Sequence, residues 1–198
     1  MNLKPSYAEE RSFVDGTPPR LEANKHLLQP PVNNYCVYHP ASPGTAGYTV
    51  MIVGGPNSRT DYHINPTPEF FYQYRGSIVL RVIDCSVSPP EPQDIPIHEG
   101  SVFLLPPNTP HCPVRFKDTV GLVLEAPRPK GSMDRMQWYC RGCGEVVWGK
   151  SFECVDLGTQ VKAVVEEFAG DLEKRTCKAC GQVAESKYKD GEIVQPQS

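Results

Sequence analysis

Long hydrophobic runs are missing from this 198-residue chain, and so is any excess of basic charge. No apolar stretch approaches the roughly 20 residues that a membrane span requires. The formal net charge of -3 excludes a broad basic face for nucleic acid. The first residues, MNLKPSYAEERSF, lack the apolar centre of a secretory signal. A cytoplasmic protein is therefore expected. Histidine is scarce, with five in the chain, so any two in a shared setting stand out. Proline and glycine are plentiful, at 21 and 16, and they fall between short apolar runs. That pattern predicts an all-β body rich in turns and argues against a helical bundle. Eight cysteines in a reducing compartment point to metal before disulfide wherever they form CxxC pairs.

The β-prone runs are Tyr35–Tyr38, Tyr48–Val53, Phe70–Tyr74, Ser77–Ile83, Ser101–Leu105, Pro113–Phe116 and Val120–Glu125. Strands at this spacing build a sandwich or a barrel. Arg75-Gly76-Ser77 reads as a tight hairpin link, and Ser86–Pro96 as a proline-rich loop unable to pair as a central strand. Arg128–Ser132 reads as a linker. A short helix is expected near Leu21–Leu28. A better one is expected over Gln160–Phe168, where Val161, Val164, Val165 and Phe168 share a face. The expected division is an N-terminal extension (1–33), a barrel (34–132), a C-terminal metal-binding subdomain (133–185) and a loose polar tail (186–198).

The segment from Arg59 to Glu69 carries His63 and Glu69, and Pro-Pro-Asn-Thr-Pro-His111 answers it about forty residues later. His63 and Glu69 are six apart, a spacing that suits a strand, a turn and a second strand better than one helix. Pro66 and Pro68 fit that turn. Two neutral imidazoles and one carboxylate can hold Fe(II) on one side and leave the other open for substrate and dioxygen. Asp61 is a minor alternative ligand, or a polar group supporting one. Arg59 lies four residues before His63 and Arg115 four after His111. Even spacing on strands returns both guanidiniums to the ligands' face, where they can fork onto a carboxylate. Glu125 ends the apolar run Gly121-Leu-Val-Leu-Glu125, where an unpaired carboxylate is costly and can serve as a proton acceptor.

Gly55-x7-His63-x5-Glu69-x6-Gly76 and Gly100-x5-Pro106-x4-His111 resemble the two cupin motifs, with Asp61 in place of the first motif's other histidine and Asn108 in place of the second motif's glycine. The resemblance implies a cupin fold, the double-stranded β-helix or jelly-roll barrel. The longer stretches Val53–His63, Glu69–Gly76 and Phe103–Arg115 resemble the 3-hydroxyanthranilate 3,4-dioxygenase family, and the likeness covers most of residues 32–185. It implies a mononuclear Fe(II) enzyme that opens the ring of 3-hydroxyanthranilate with O2. The product is 2-amino-3-carboxymuconate semialdehyde, which cyclises to quinolinate on the route to NAD. It further implies His63, Glu69 and His111 as iron ligands, Arg59, Arg115 and Glu125 as substrate contacts, and a homodimer.

A second metal signature lies near the C-terminus. Cys140-Arg-Gly-Cys143-Gly144 and Cys177-Lys-Ala-Cys180-Gly181 are matching knuckles. Four thiolates form a closed tetrahedral site for Zn or Fe, and a redox dithiol is disfavoured because such motifs come singly. The pair resembles the rubredoxin-like centre of family members with this extension. Its expected role is structural. Cys36, Cys85, Cys112 and Cys154 are expected as small buried hydrophobes, with Cys112, beside His111, the one placed to line the pocket or sense oxidation. Two readings compete with the ring-opening enzyme: another cupin enzyme, such as a thiol dioxygenase or sugar isomerase, and a metal-bound sensor without turnover. The two arginines favour a small anionic substrate.

Overall fold

The computed structural model describes residues 24–28, 33–57, 59–88, 90–189 and 191–197. Most of the N-terminal extension lies outside the described residues; of the expected helix, Lys25–Leu27 forms a single 3-10 turn. The body is two antiparallel sheets. The first runs in the order β1 (Asn34–Tyr38), β2 (Thr49–Gly54), β9 (Val120–Glu125), β4 (Glu69–Arg75) and β7 (Val102–Leu105). The second runs β11 (Val146–Phe152), β10 (Asp134–Tyr139), β3 (Tyr62–Ile64), β8 (His111–Val114), β5 (Ile78–Asp84) and β6 (Glu91–Ile97). Two helices follow, α1 (Leu157–Gly170) and α2 (Leu172–Arg175). The architecture is all-β, as expected, with two antiparallel sheets packed around one apolar cluster. No helix among the described residues is long and apolar enough to cross a membrane.

Period-two patterning aims the strands. In β4, Glu69, Phe71 and Gln73 are buried while Phe70 and Tyr72 are only half so. In β9, Gly121, Val123 and Glu125 point inward. Met51, Phe71, Ile78, Leu80, Val82 and Leu105 meet between the sheets in one apolar cluster. Cutting any of these back to alanine costs about 2–5 kcal/mol. Three positive-φ residues close the tight turns. Gly76 and Gly100 take φ of 66° and 78°, and Asn108 takes 59°. Asn108 thus adopts the left-handed conformation that a glycine usually supplies, and asparagine tolerates it.

Several elements depart from the sequence reading. Glu91–Ile97, expected as loop, is a strand at the sheet's edge. Pro92 and Pro96 are admissible there because one side of an edge strand needs no ladder donors. The cysteine region begins with two long strands. β10 pairs with β3, placing Met136 opposite His63, so the subdomain grows from the barrel's own sheet. Its core stacks Trp138 on Phe168 at a centroid distance of 4.0 Å, with Val161, Val164 and Val165 beside them. α1 is longer than expected but buries the expected face. Gln160 Oε1 accepts from the backbone N–H groups of Val155 and Asp156 and so fixes where it starts. The tail is docked, contrary to its expected looseness. Tyr188 and Ile193 pack on Tyr62, Val79 and Cys112 on the second sheet's outer face, and Gln195 donates to the Ser77 carbonyl at 3.2 Å. Its two apolar anchors outweigh its polar composition.

Candidate metal centre and active site

His63 and His111 come from neighbouring strands of one sheet and stand directly opposite in register. Glu69 comes from the facing sheet, in register with Glu125. All three ligand candidates are buried, and their donor atoms lie within 4.8 Å of one another. Glu69 Oε2 lies 3.1 Å from His111 Nε2 and has no directed hydrogen bond. His111 Nδ1 donates to the Thr109 carbonyl at 3.0 Å, which leaves the Nε2 lone pair facing Glu69. His63 Nε2 donates to Asp134 Oδ2 at 2.7 Å, which leaves the Nδ1 lone pair to ligate. Burial lowers the His63 pKa and so keeps the ring neutral, against the pull of the Asp134 hydrogen bond. Burial also works against charge on His111, but Glu69 beside it prevails and raises its pKa. Two imidazoles and a carboxylate, closely grouped and with acceptor capacity unspent, fit a divalent metal with open positions.

A small cavity, about 50 Å³, opens beside this group. Arg59, Arg115 and Glu125 all line it, as the sequence reading anticipated. Their situations differ. Arg59 is forked onto Asp61, with Nε to Oδ1 at 2.8 Å and a second bond from Nη2. Asp61 is fully buried and stands outside the ligand group. It serves Arg59. Arg115 is also buried, but among the described residues its guanidinium has no carboxylate in hydrogen-bond reach; it donates to Gln73 Oε1, at 3.4 Å. Burial drags its pKa down to about 10, the attraction of Glu69 opposing the fall and the like charge of Arg59 adding to it. Glu125 is 1% exposed, and burial, with Glu69 nearby, raises its pKa to about 8 even though Arg128 sits beside it.

The sequence reading missed four contributors. Asp134 and Arg128 lie beyond the barrel motifs, and Arg128 falls in the apparent linker. Leu157 and Val161 of α1 also line the cavity, so the cysteine subdomain supplies part of its wall. For Val161 the signal was the helical stripe, which marks a buried face without saying what packs on it. Cys112 is fully buried with the outer cluster and does not line this cavity. Cys85 is exposed, in the turn after β5, so the expectation of four buried thiols fails there.

The four knuckle cysteines gather as expected. Cys140 and Cys180 sulfurs are 3.5 Å apart, and those of Cys143 and Cys177 are 3.7 Å apart. A tetrahedron with metal–sulfur bonds of about 2.3 Å has edges of about 3.8 Å, so the spacing fits a closed four-thiolate metal site. Gly144 and Gly181 both take φ of 77°. Their N–H groups donate to the Cys140 and Cys177 carbonyls at 2.8 Å, giving the two knuckles one geometry.

Comparison with known proteins agrees with this site. The family model for 3-hydroxyanthranilic acid dioxygenase matches residues 17–169. A relative from Aspergillus clavatus, named 3-hydroxyanthranilate 3,4-dioxygenase 1, is 77% identical over 179 residues, covering 90% of this chain and 93% of its own length. One from Coccidioides immitis, named 3-hydroxyanthranilate 3,4-dioxygenase, is 73% identical, again over 90% and 93%. Among solved structures, oxalate oxidase in complex with the substrate analogue glycolate aligns over 44% of this chain and 53% of that one, at 14% identity and a TM-score of 0.34. That likeness is too loose to add to the fold description.

Proposed function

The chain belongs to the 3-hydroxyanthranilic acid dioxygenase family, and from that premise we propose that it opens the ring of 3-hydroxyanthranilate with dioxygen to give 2-amino-3-carboxymuconate semialdehyde. The observation that carries this reading is the cavity's composition: a two-imidazole, one-carboxylate donor group shares it with a buried guanidinium that, among the described residues, has no carboxylate in hydrogen-bond reach. The substrate is a flat ring bearing a carboxylate beside an amine and a hydroxyl. Its carboxylate belongs on Arg115, the cation still short of a partner. Arg59, already neutralised by Asp61, contributes donors and shape. Glu125 accepts the phenolic proton in its ionised form: a pKa raised to about 8 makes that carboxylate more basic than an ordinary one, and it lines the same cavity as the ligands. Phe71, Leu157 and Val161 present apolar surface to the ring and exclude water.

His63, Glu69 and His111 would hold Fe(II), which would supply the one-electron chemistry that dioxygen needs to react with the ring. The four-cysteine site holds Zn or Fe in a structural role. The protein acts in the cytoplasm as a homodimer. Exposed Tyr74, Val102 and Leu104 on the β4–β7 edge of the first sheet support that assembly.

The test is to load the protein with Fe(II) anaerobically, add 3-hydroxyanthranilate, admit air and follow oxygen consumption. One dioxygen used per substrate supports the reading. Binding without turnover supports a sensor instead.

A further inference from the structure

Arg128 follows β9 and reaches back beneath the cavity. Its Nε donates to Asp134 Oδ1 at 2.8 Å and its Nη2 to Oδ2 at 2.7 Å. The same Nη2 lies 2.7 Å from Glu125 Oε2. Asp134 is fully buried, and its Oδ2 also accepts from His63 Nε2 at 2.7 Å. One guanidinium therefore joins the proton-accepting carboxylate to the carboxylate that holds a ligand imidazole. Glu125 has no directed hydrogen bond of its own, so its ion pair with Arg128 is what aims it. Two buried carboxylates this close to one cation repel each other once the cation is gone. An ammonium offers a single point charge. The planar fork of arginine is what serves both at once.

We propose that Arg128 is a positioning residue for ring opening: through Asp134 it fixes the tautomer and orientation of the His63 ring, and through its ion pair it holds Glu125 toward the cavity. This inference rests on the function proposed above, and the experiment separates the two. Arg128→Lys and Arg128→Gln are compared with Asp134→Asn. The first readout needs no turnover: Fe(II) affinity by anaerobic competition with a chromophoric chelator. Partners of this kind typically set affinity or activity by about 10–100-fold. Affinity falls by that factor in all three variants, and Arg128→Lys added to Asp134→Asn lowers it little further, because the two act in one chain. In the Arg128 variants kcat falls by a similar factor while KM for 3-hydroxyanthranilate changes far less.

Circular dichroism and the metal content of the four-cysteine site report folding. Should Arg128→Gln fail to fold, Arg128→Lys decides. A folded Arg128→Lys protein with wild-type Fe(II) affinity and wild-type kcat overturns the inference, even if its melting temperature is lower. A wild-type protein that never opens the ring, with variants that still lose Fe(II) affinity, overturns the proposed function and leaves the His63 positioning standing.

Discussion

Replacing Arg115 with alanine probes the most exposed joint of the mechanism. The guanidinium is buried with no carboxylate in reach, and its pKa falls from 12.5 to about 10 because of that burial. A fall of this size corresponds to about 3 kcal/mol of desolvation left uncompensated in the substrate-free protein. A substrate carboxylate relieves it. Truncating one partner of a desolvated charge pair costs about 2–5 kcal/mol, so kcat/KM for 3-hydroxyanthranilate should drop by roughly 30- to 4,000-fold. Iron content should stay at the wild-type level, since Arg115 is not among the grouped donors. The control substrate is 2-aminophenol, which lacks the carboxylate. Steady-state kinetics on both compounds isolate the contact, and the loss should be confined largely to the carboxylated one. Equal losses on the two substrates refute the assignment of the carboxylate to Arg115.

Asp61→Asn should keep its iron but release Arg59, raising KM with little effect on metal content; loss of iron would make Asp61 a ligand. Glu125→Gln should abolish most turnover yet stabilise the metal-free protein at alkaline pH. The folded-state pKa of Glu125 is raised to about 8, so its favourable contribution is complete below the ordinary carboxylate range and is lost as pH rises through 8. The gain in melting temperature for Glu125→Gln over wild type should therefore grow between about pH 5 and pH 8 and then level off; a gain independent of pH contradicts the raised value. Cys140→Ser with Cys143→Ser should lower the melting temperature and expose residues 133–185 to protease. Sequence alone predicts that chemistry is spared. The structure adds a rise in KM, because Val161 belongs both to the cysteine-side core and to the cavity wall. An unchanged KM in the folded variant would separate the two.

The β-rich body and the grouping of His63, Glu69 and His111 were legible because each is written locally. The three sit in motifs with fixed spacing, and burial alternates along β4, so the face of Glu69 follows from its strand. The twin knuckles were equally plain, since each closes its own turn on a glycine. What escaped was non-local. Arg128 lies in a Pro-Gly-rich stretch that reads as a linker, and its role exists only because β10 brings Asp134 beside His63. Glu91–Ile97 was masked by prolines that only an edge position admits. The tail's docking depends on Tyr188 and Ile193 finding an apolar sheet face set by strands a hundred residues earlier. Arg59 and Arg115 look equivalent in sequence. They differ because Asp61 is forked onto one, while among the described residues no carboxylate lies within hydrogen-bond reach of the other.

The central claim is that the His63–Glu69–His111 group performs a ring-opening dioxygenation. Its most direct test is a turnover in isotopically labelled dioxygen by the Fe(II)-loaded protein, with Glu69→Ala carried through the same loading as the control and the ring-opened product examined by mass spectrometry. The new carboxylate of the product formed by the wild type should carry one oxygen from labelled dioxygen, the aldehyde oxygen being open to exchange with water, and the Glu69→Ala protein should form no product. A new carboxylate without that label, or undiminished product from the Glu69→Ala protein, would contradict it.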